Sequence, residues 1–359
     1  MGRTVALVGA LHPAVRGLAL ALEDDPAVDR VLGLSGHEPP LLGPKFEFVK
    51  ARPRDDRFAA ALADADAVVL FPLIDAGDRD EEGRRARVLE GTRRTLEAAG
   101  RAATVVLWSS GVVYGAHPDN PVPITEAQPP RPNPDFPAAG ILADSEQLAL
   151  DSAAAADDPE RRLVVLRGAG VWAPAWGTFL SRSLMAPAIV GVRGSDPPLQ
   201  CLAPADAVSA LRLAVSGRLD GVYNVAPDDW VGARAAAAAA GRRRLEVPER
   251  VALATAERLW RAGMSAATAG ELHYHVHPWV LDNARLRQAG WAPTRSSAEA
   301  FAEAGRQLPE GVLVGGVHVR RGDVWRGAAA GFALLAAVAV ARRQVRTRRR
   351  SARRRPSPM

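Results

Sequence analysis

The segment "VALVGALHPAVRG", residues 5–17, carries an apolar run into a turn and then into a helical pattern. Glycines at such a turn let the backbone wrap a phosphate. One makes the tight turn, one admits the anion, and one lets the helix pack on the strand. Counting back from the helical "LALALEDDP", these places fall on Gly9, His12 and Val15. Gly9 keeps the pattern. His12 puts a β-carbon in the phosphate's approach, and Val15 is expected to push the helix off the strand. Pro13 suits a first helical turn, whose amino end still offers a weak anion site. A second set, His273, His275 and His277, alternates in "HYHVHP". On a strand all three imidazoles would share one face, a pattern that could hold zinc. Such sites usually draw ligands from more than one element, so an ordinary half-buried strand is expected, and no metal. Cys201 lies in an apolar context without a basic neighbour and reads as an inert thiol.

The elements that must position these residues alternate along the first half. "TVALVGA", "RVLGLSG", "FEFVKAR", "DAVVLFPLI", "TVVLWSS" and "RRLVVLRGAGVWA" read as six strands, with helical patterns between most of them and a proline-rich loop at Pro118–Pro137. Strands buried on both faces and separated by helices predict an α/β fold, a Rossmann-like doubly wound parallel sheet. Ligands then sit beyond the carboxyl ends of the strands, which directs attention to the turns after Val8, Leu34, Ala51, Phe71 and Trp108. The second half mixes short strands ("GVYNVAP", "HYHVHPWVLD") with alanine-rich helix, alanine being the best helix former. The expected organisation is a Rossmann-like domain over residues 1–165 and a smaller C-terminal α/β lobe over 166–310, partly interleaved with the sheet. A linker at 311–326, an apolar helix at 327–341 and a disordered arginine-rich tail at 342–359 follow.

"TVVLWSSGVVYG", the loop with "PVPITE", "LRGAGVWAP", "GVYNVAP" and "HPWVLDNARLRQAGWAP" occur in this order. Together they resemble the NAD-dependent epimerase/dehydratase branch of the extended short-chain dehydrogenase/reductases, over roughly residues 4–305. The resemblance implies a dinucleotide-binding domain for NAD or NADP and a smaller lobe closing over a substrate, often a nucleotide sugar. It also implies a Tyr-x-x-x-Lys pair on a helix. The spacing sets lysine one turn from tyrosine, where its charge lowers the phenol pKa and makes a usable base. In this chain the tyrosine place is Ala138 and the lysine place is Leu142, and neither can move a proton. The family's serine matches Ser110, and Tyr114 of the same motif is a substrate-side or packing residue. Asp206 matches a family aspartate that caps a helix.

The cofactor positions implied by the resemblance depart in the same way. The acidic residue for the ribose hydroxyls is Ser35, and the aspartate near adenine is Arg52. Serine with a nearby arginine suits a 2′-phosphate, so NADP stays open beside NAD. The asparagine near the nicotinamide is Arg87, and the family's "VVHLA" has become "VVLFP", which ends on Phe71 and Pro72.

Composition sets the remaining bounds. The chain has 359 residues and a formal charge of +6, but nine arginines lie in its last 18 residues. Removing these nine charges turns +6 into −3, so the basicity belongs to the tail and nucleic acid is not the expected partner. A single cysteine fits a reducing cytoplasm. Residues 327–341 carry no charge and lie between Trp325–Arg326 and the arginine tail, which favours attachment to an anionic membrane over a surface helix. The expected function is a catalytically degenerate, ligand-binding or scaffold member of the epimerase/dehydratase type. An active NAD(P)-dependent enzyme with a non-standard base is the alternative, and a homodimer stays open.

Overall fold

The computed structural model describes residues 2–308, except 38–42, 73, 75–79, 100–101, 157, 159, 187 and 262–267, and also residues 312–314 and 317–319. The apolar segment at 327–341 and the arginine tail lie outside the described residues. Among those described, no helix is long and apolar enough to cross a membrane.

Thirteen strands are described: β1 Arg3–Val8, β2 Val28–Ser35, β3 Phe46–Lys50, β4 Ala67–Leu70, β5 Thr104–Ser110, β6 Arg162–Gly168, β7 Ile189–Val192, β8 Pro198–Leu199, β9 Gly221–Val225, β10 Val231–Gly232, β11 Arg244–Val247, β12 Val312–Val314 and β13 Val317–Val319. The α-helices are α1 Pro13–Glu23, α2 Asp56–Ala63, α3 Glu81–Ala98, α4 Pro137–Ala155, α5 Phe179–Met185, α6 Pro204–Val215, α7 Ala233–Ala239, α8 Glu249–Arg261, α9 Ala284–Gln288 and α10 Ser297–Arg306. Seven strands make one parallel sheet in the order β3-β2-β1-β4-β5-β6-β9. This is the doubly wound sheet that the alternation of apolar runs and helices predicts. Two hydrophobic clusters lie against it, one holding Leu7, Val69 and Val106 and the other Ala6, Val68 and Val105. Successive residues of one strand feed opposite clusters, as the pleat requires. The described residues within Met1–Leu184 and Ala188–Leu308 form one compact unit; β12 and β13 fall outside it and pair antiparallel with each other.

Local chemistry explains where the elements stop. The fourth strand ends at Leu70 rather than running on through Ile74, and Pro72 offers no amide to continue the ladder. Helix α1 buries Ala14, Val15, Leu18, Ala19 and Leu22, the apolar stripe of a helical period. Val15 is fully buried as part of this stripe. Gly17 of the same helix meets a different neighbour closely: an added β-carbon there would lie 2.6 Å from Val208 of α6.

Two further expectations are corrected. The segment "HYHVHP" is not a strand but the end of a 3-10 helix, Ala269–His275. His273 O accepts from the amides of Val276 (3.0 Å) and His277 (2.8 Å), so the chain turns where alternation suggested extension. His273 and His277 stack, with centroids 6.1 Å apart, while His275 is buried and meets Ser183 Oγ at 3.1 Å. The three imidazoles therefore share no face. Asp206 does not cap its own helix, whose N-cap is Ala203. Its buried carboxylate accepts from Thr294 N (2.9 Å), Thr294 Oγ1 (2.7 Å) and Arg295 N (3.3 Å), tying the entry to α10 against α6.

Candidate functional site

A cavity of about 570 Å³ opens beyond the carboxyl ends of β1, β4, β5 and β6. One side comes from Leu11–Pro13 before and at the start of α1, and from Pro72 and Ile74 after β4. Trp108, Ser109 and Ser110 close β5, and Gly168–Val171 follow from β6. Opposite them lie Trp176, residues 177–180 and Arg182, with Trp260 of α8 and Glu271 beyond.

His12 governs the β1 turn. Its Nδ1 accepts from Ala14 N at 3.2 Å, so the side chain caps α1 with one of the amides a bound anion would use. The ring stacks on Phe71 (4.9 Å, interplanar 19°) and meets Trp176 edge-on at 5.5 Å. Burial lowers its pKa to about 4, so the imidazole is neutral at physiological pH. Gly9 has φ +89°, and a β-carbon there would stand 2.6 Å from the Phe71 carbonyl oxygen. Glycine at this position is thus required by the approach of the chain leaving β4, independent of any phosphate.

Ala138 and Leu142 both line the cavity, one turn apart on α4. The four-residue spacing puts both residues on the cavity face, and both side chains are aliphatic. Ser110 also lines the cavity; its Oγ lies 3.4 Å from Gly168 O and accepts from Val112 N at 3.4 Å. Tyr114 does not. Its hydroxyl donates to Asn224 Oδ1 (2.9 Å) and accepts from Arg167 Nη1 (2.8 Å), inside the protein. Arg167 in turn gives Nε (2.9 Å) and Nη2 (2.7 Å) to Glu146 Oε2, and Ser109 Oγ donates to Glu146 Oε1. The Arg167–Glu146 pair is almost completely buried, and its mutual charge with these four bonds offsets the desolvation each ion suffers.

The outer cofactor positions are arranged differently. Ser35 ends β2, accepts from His37 N at 3.2 Å and donates to His37 O. Arg52 crosses the neighbouring Gly36, where an added β-carbon would be 2.9 Å from Nε, so the structure brings Ser35 and Arg52 together. Arg87 is exposed on α3, 3.6 Å from Asp80, and does not line the cavity. Arg84, one turn earlier, is buried and does. Cys201 is buried with its thiol pushed up to about 12, the inert state its context suggests.

Sequence reasoning missed most of the cavity wall. Trp176 sits in the loop after β6, Arg182 on α5, and Glu271 in the 3-10 helix 89 residues further on. Arg182 Nη2 reaches both Glu271 carboxylate oxygens at 3.3 Å. Burial pushes the Glu271 carboxyl above its ordinary range, against the pull of Arg182. Neither residue lies in a motif or at a repeated spacing, so only their convergence in the fold reveals the pair.

No family model matches the chain. Uncharacterised proteins of Mycobacterium bovis and Mycobacterium tuberculosis are 27% identical to it over 347 residues, covering 92% of this chain and 90% of theirs. Among solved structures, MoeE5 in complex with UDP-glucuronic acid and NAD has a TM-score of 0.64 at 20% identity, covering 85% of this chain and 99% of that one. A UDP-glucose 4-epimerase of Thermotoga maritima with UDP-glucose has a TM-score of 0.64 at 15% identity, covering 85% and 98%. A UDP-glucuronic acid 4-epimerase of Bacillus cereus in complex with NAD has a TM-score of 0.63 at 15% identity, with the same coverage. The fold is that of the NAD-dependent nucleotide-sugar epimerases and dehydratases.

Proposed function

We propose that this chain is a catalytically degenerate protein on the epimerase/dehydratase fold, which binds a small ligand in the cavity instead of transferring hydride. The observation that carries this reading is the His12 cap. A dinucleotide's pyrophosphate would need the α1 amides and a glycine approach, and His12 takes an amide and fills the approach with a neutral ring. The residues present therefore do not fit that part of NAD or NADP. Ala138 and Leu142 extend the reading to catalysis, since a base and its lysine partner are both replaced by apolar groups on the cavity face.

The second reading, an active NAD(P)-dependent oxidoreductase or nucleotide-sugar epimerase with a non-standard base, draws on two observations. Ser110 lines the cavity as the family serine would, and Arg52 lies beside Ser35 as a 2′-phosphate would require. Titration with NAD+, NADH, NADP+ and NADPH, followed by nicotinamide fluorescence and thermal stability, separates the two. No binding up to millimolar concentration supports the first, and micromolar binding with turnover of a nucleotide sugar supports the second. The same proposal keeps the protein in the cytoplasm, held at an anionic membrane by residues 327–359. A chain ending at Val324 is then expected to leave the membrane fraction that the full chain enters; equal solubility of both without detergent would contradict it.

A further inference from the structure

The chemistry of the cavity is narrower than its volume. Six aromatic rings face it: His12, Trp108, Phe136, Trp176, Phe179 and Trp260. Aliphatic groups, Ala138 and Leu142 among them, fill the spaces between the rings. A wall of this kind favours flat, apolar rings, which gain both burial and edge or face contacts. It offers little to a sugar or a ribose, whose hydroxyls would lose water without regaining hydrogen bonds.

One end of the cavity is polar in a specific way. Arg182 gives Nη1 to Gly177 O at 3.3 Å and Nη2 to Glu271 at 3.3 Å. Its Nε is buried and has no partner among the described residues. Glu271 accepts from the Thr268 amide at 3.3 Å, again a long bond for a carboxylate. A guanidinium held only by long hydrogen bonds and a loosely held acceptor thus stand side by side, with charges that cancel. Arg84, the other cation on the lining, is engaged within the protein. A ligand hydroxyl at this end can accept from the Nη groups of Arg182, whose bonds to Gly177 O and Glu271 are long, and donate to Glu271. A ligand anion would meet the Glu271 carboxylate, and a ligand cation would meet the guanidinium.

On the reading that the cavity is a ligand site rather than a dinucleotide site, we propose that it takes an uncharged, ring-bearing, mainly apolar ligand. A single hydroxyl or carbonyl on that ligand is anchored by Arg182 and Glu271. The aromatic wall supplies most of the affinity, and the polar pair selects the ligand's orientation and excludes charged analogues.

The test uses N-phenyl-1-naphthylamine as a fluorescent reporter on the full chain, displaced by naphthalene, 2-naphthol and 2-naphthoate. These three share one ring system and differ in the group offered to Arg182 and Glu271. The reporter is expected to bind, and 2-naphthol to displace it about tenfold more tightly than naphthalene, the value of a hydrogen bond to a charged group. 2-Naphthoate is expected to do no better than naphthalene. Arg182→Leu removes the donor but leaves Glu271 as acceptor and should weaken the 2-naphthol preference, and Arg182→Leu combined with Glu271→Leu should erase it. Failure of a cooperatively melting protein to bind the reporter would overturn the proposal, as would 2-naphthoate outcompeting 2-naphthol or a preference that survives the Arg182→Leu, Glu271→Leu double variant. NADH displacing the reporter with the 2-naphthol preference intact would sink the function proposed above and leave the ligand class standing. A missing preference with NADH inert would do the reverse.

Discussion

Nδ1 of His12 accepts the Ala14 amide at 3.2 Å, so the first turn of α1 is capped by the residue that stands in the phosphate's approach. The same ring stacks on Phe71 and meets Trp176 edge-on, so it packs in the cavity wall as well as capping the helix. His12→Gly removes both contributions. It is expected to lower stability by only a few tenths of a kcal/mol for the cap and about 1 kcal/mol for the ring contacts, read from a urea midpoint at pH 7.5. No change in the midpoint would show that the cap and the stack contribute nothing.

Two desolvated histidines, the half-buried His12 and the buried His275, set a pH dependence. His12 is held at about 4 by burial, and His275 at about 4 by burial assisted by the Arg244 cation. Both values lie below the 6.5 of an exposed histidine, so the unfolded chain takes up protons that the folded chain refuses. Above pH 6.5 there is no penalty. Between 6.5 and 4 stability falls by about 1.4 kcal/mol per pH unit for each histidine, and the loss levels off below 4. Unfolding midpoints measured from pH 7.5 to 4.5 should show this slope, and His275→Asn should flatten it by about half. A slope unchanged in both His12→Gln and His275→Asn would contradict the assignment.

The Glu146–Arg167 pair makes a sharper demand. Arg167→Met strands a carboxylate among Ser109 and the core, and should cost about 3–5 kcal/mol. The double variant Glu146→Leu with Arg167→Met removes both charges and should recover most of that loss. A thermodynamic cycle over the two single variants and the double variant measures the coupling. Additive losses would mean the two charges do not depend on each other.

Gly9 tests why one glycine of the turn persists. Gly9→Ala places a methyl against the Phe71 carbonyl in a backbone conformation disfavoured for other residues, and should cost about 1–3 kcal/mol in a thermal or urea melt. Ligand binding in the refolded variant should be unchanged, because the strain lies at the base of the turn. Loss of reporter binding without loss of stability would assign Gly9 to the cavity instead.

The sheet was legible because each of its strands is an apolar run with its own turn signal, as in "TVALVGA" and "TVVLWSS". The place of the cavity followed from that topology, and Ala138 and Leu142 reached its face because helical spacing survives the loss of their chemistry. What the residues could not reveal was either local ambiguity or long-range convergence. "HYHVHP" alternates like a strand, yet tertiary contacts at Tyr274 and His275 bury the segment in a helical turn. Tyr114, Arg167 and Glu146 meet across more than fifty residues of sequence, and Arg182 meets Glu271 across 89, with no spacing rule to join them.

The most direct test of the account is calorimetric titration of the full chain with NADH and NADPH at pH 7.5, where His12 is neutral and capping. No heat of binding up to millimolar dinucleotide, in a protein that binds the naphthylamine reporter in the same buffer, is the result the account predicts. Micromolar binding of either dinucleotide, displacing the reporter, would show that the His12 turn still accepts a pyrophosphate and would contradict it.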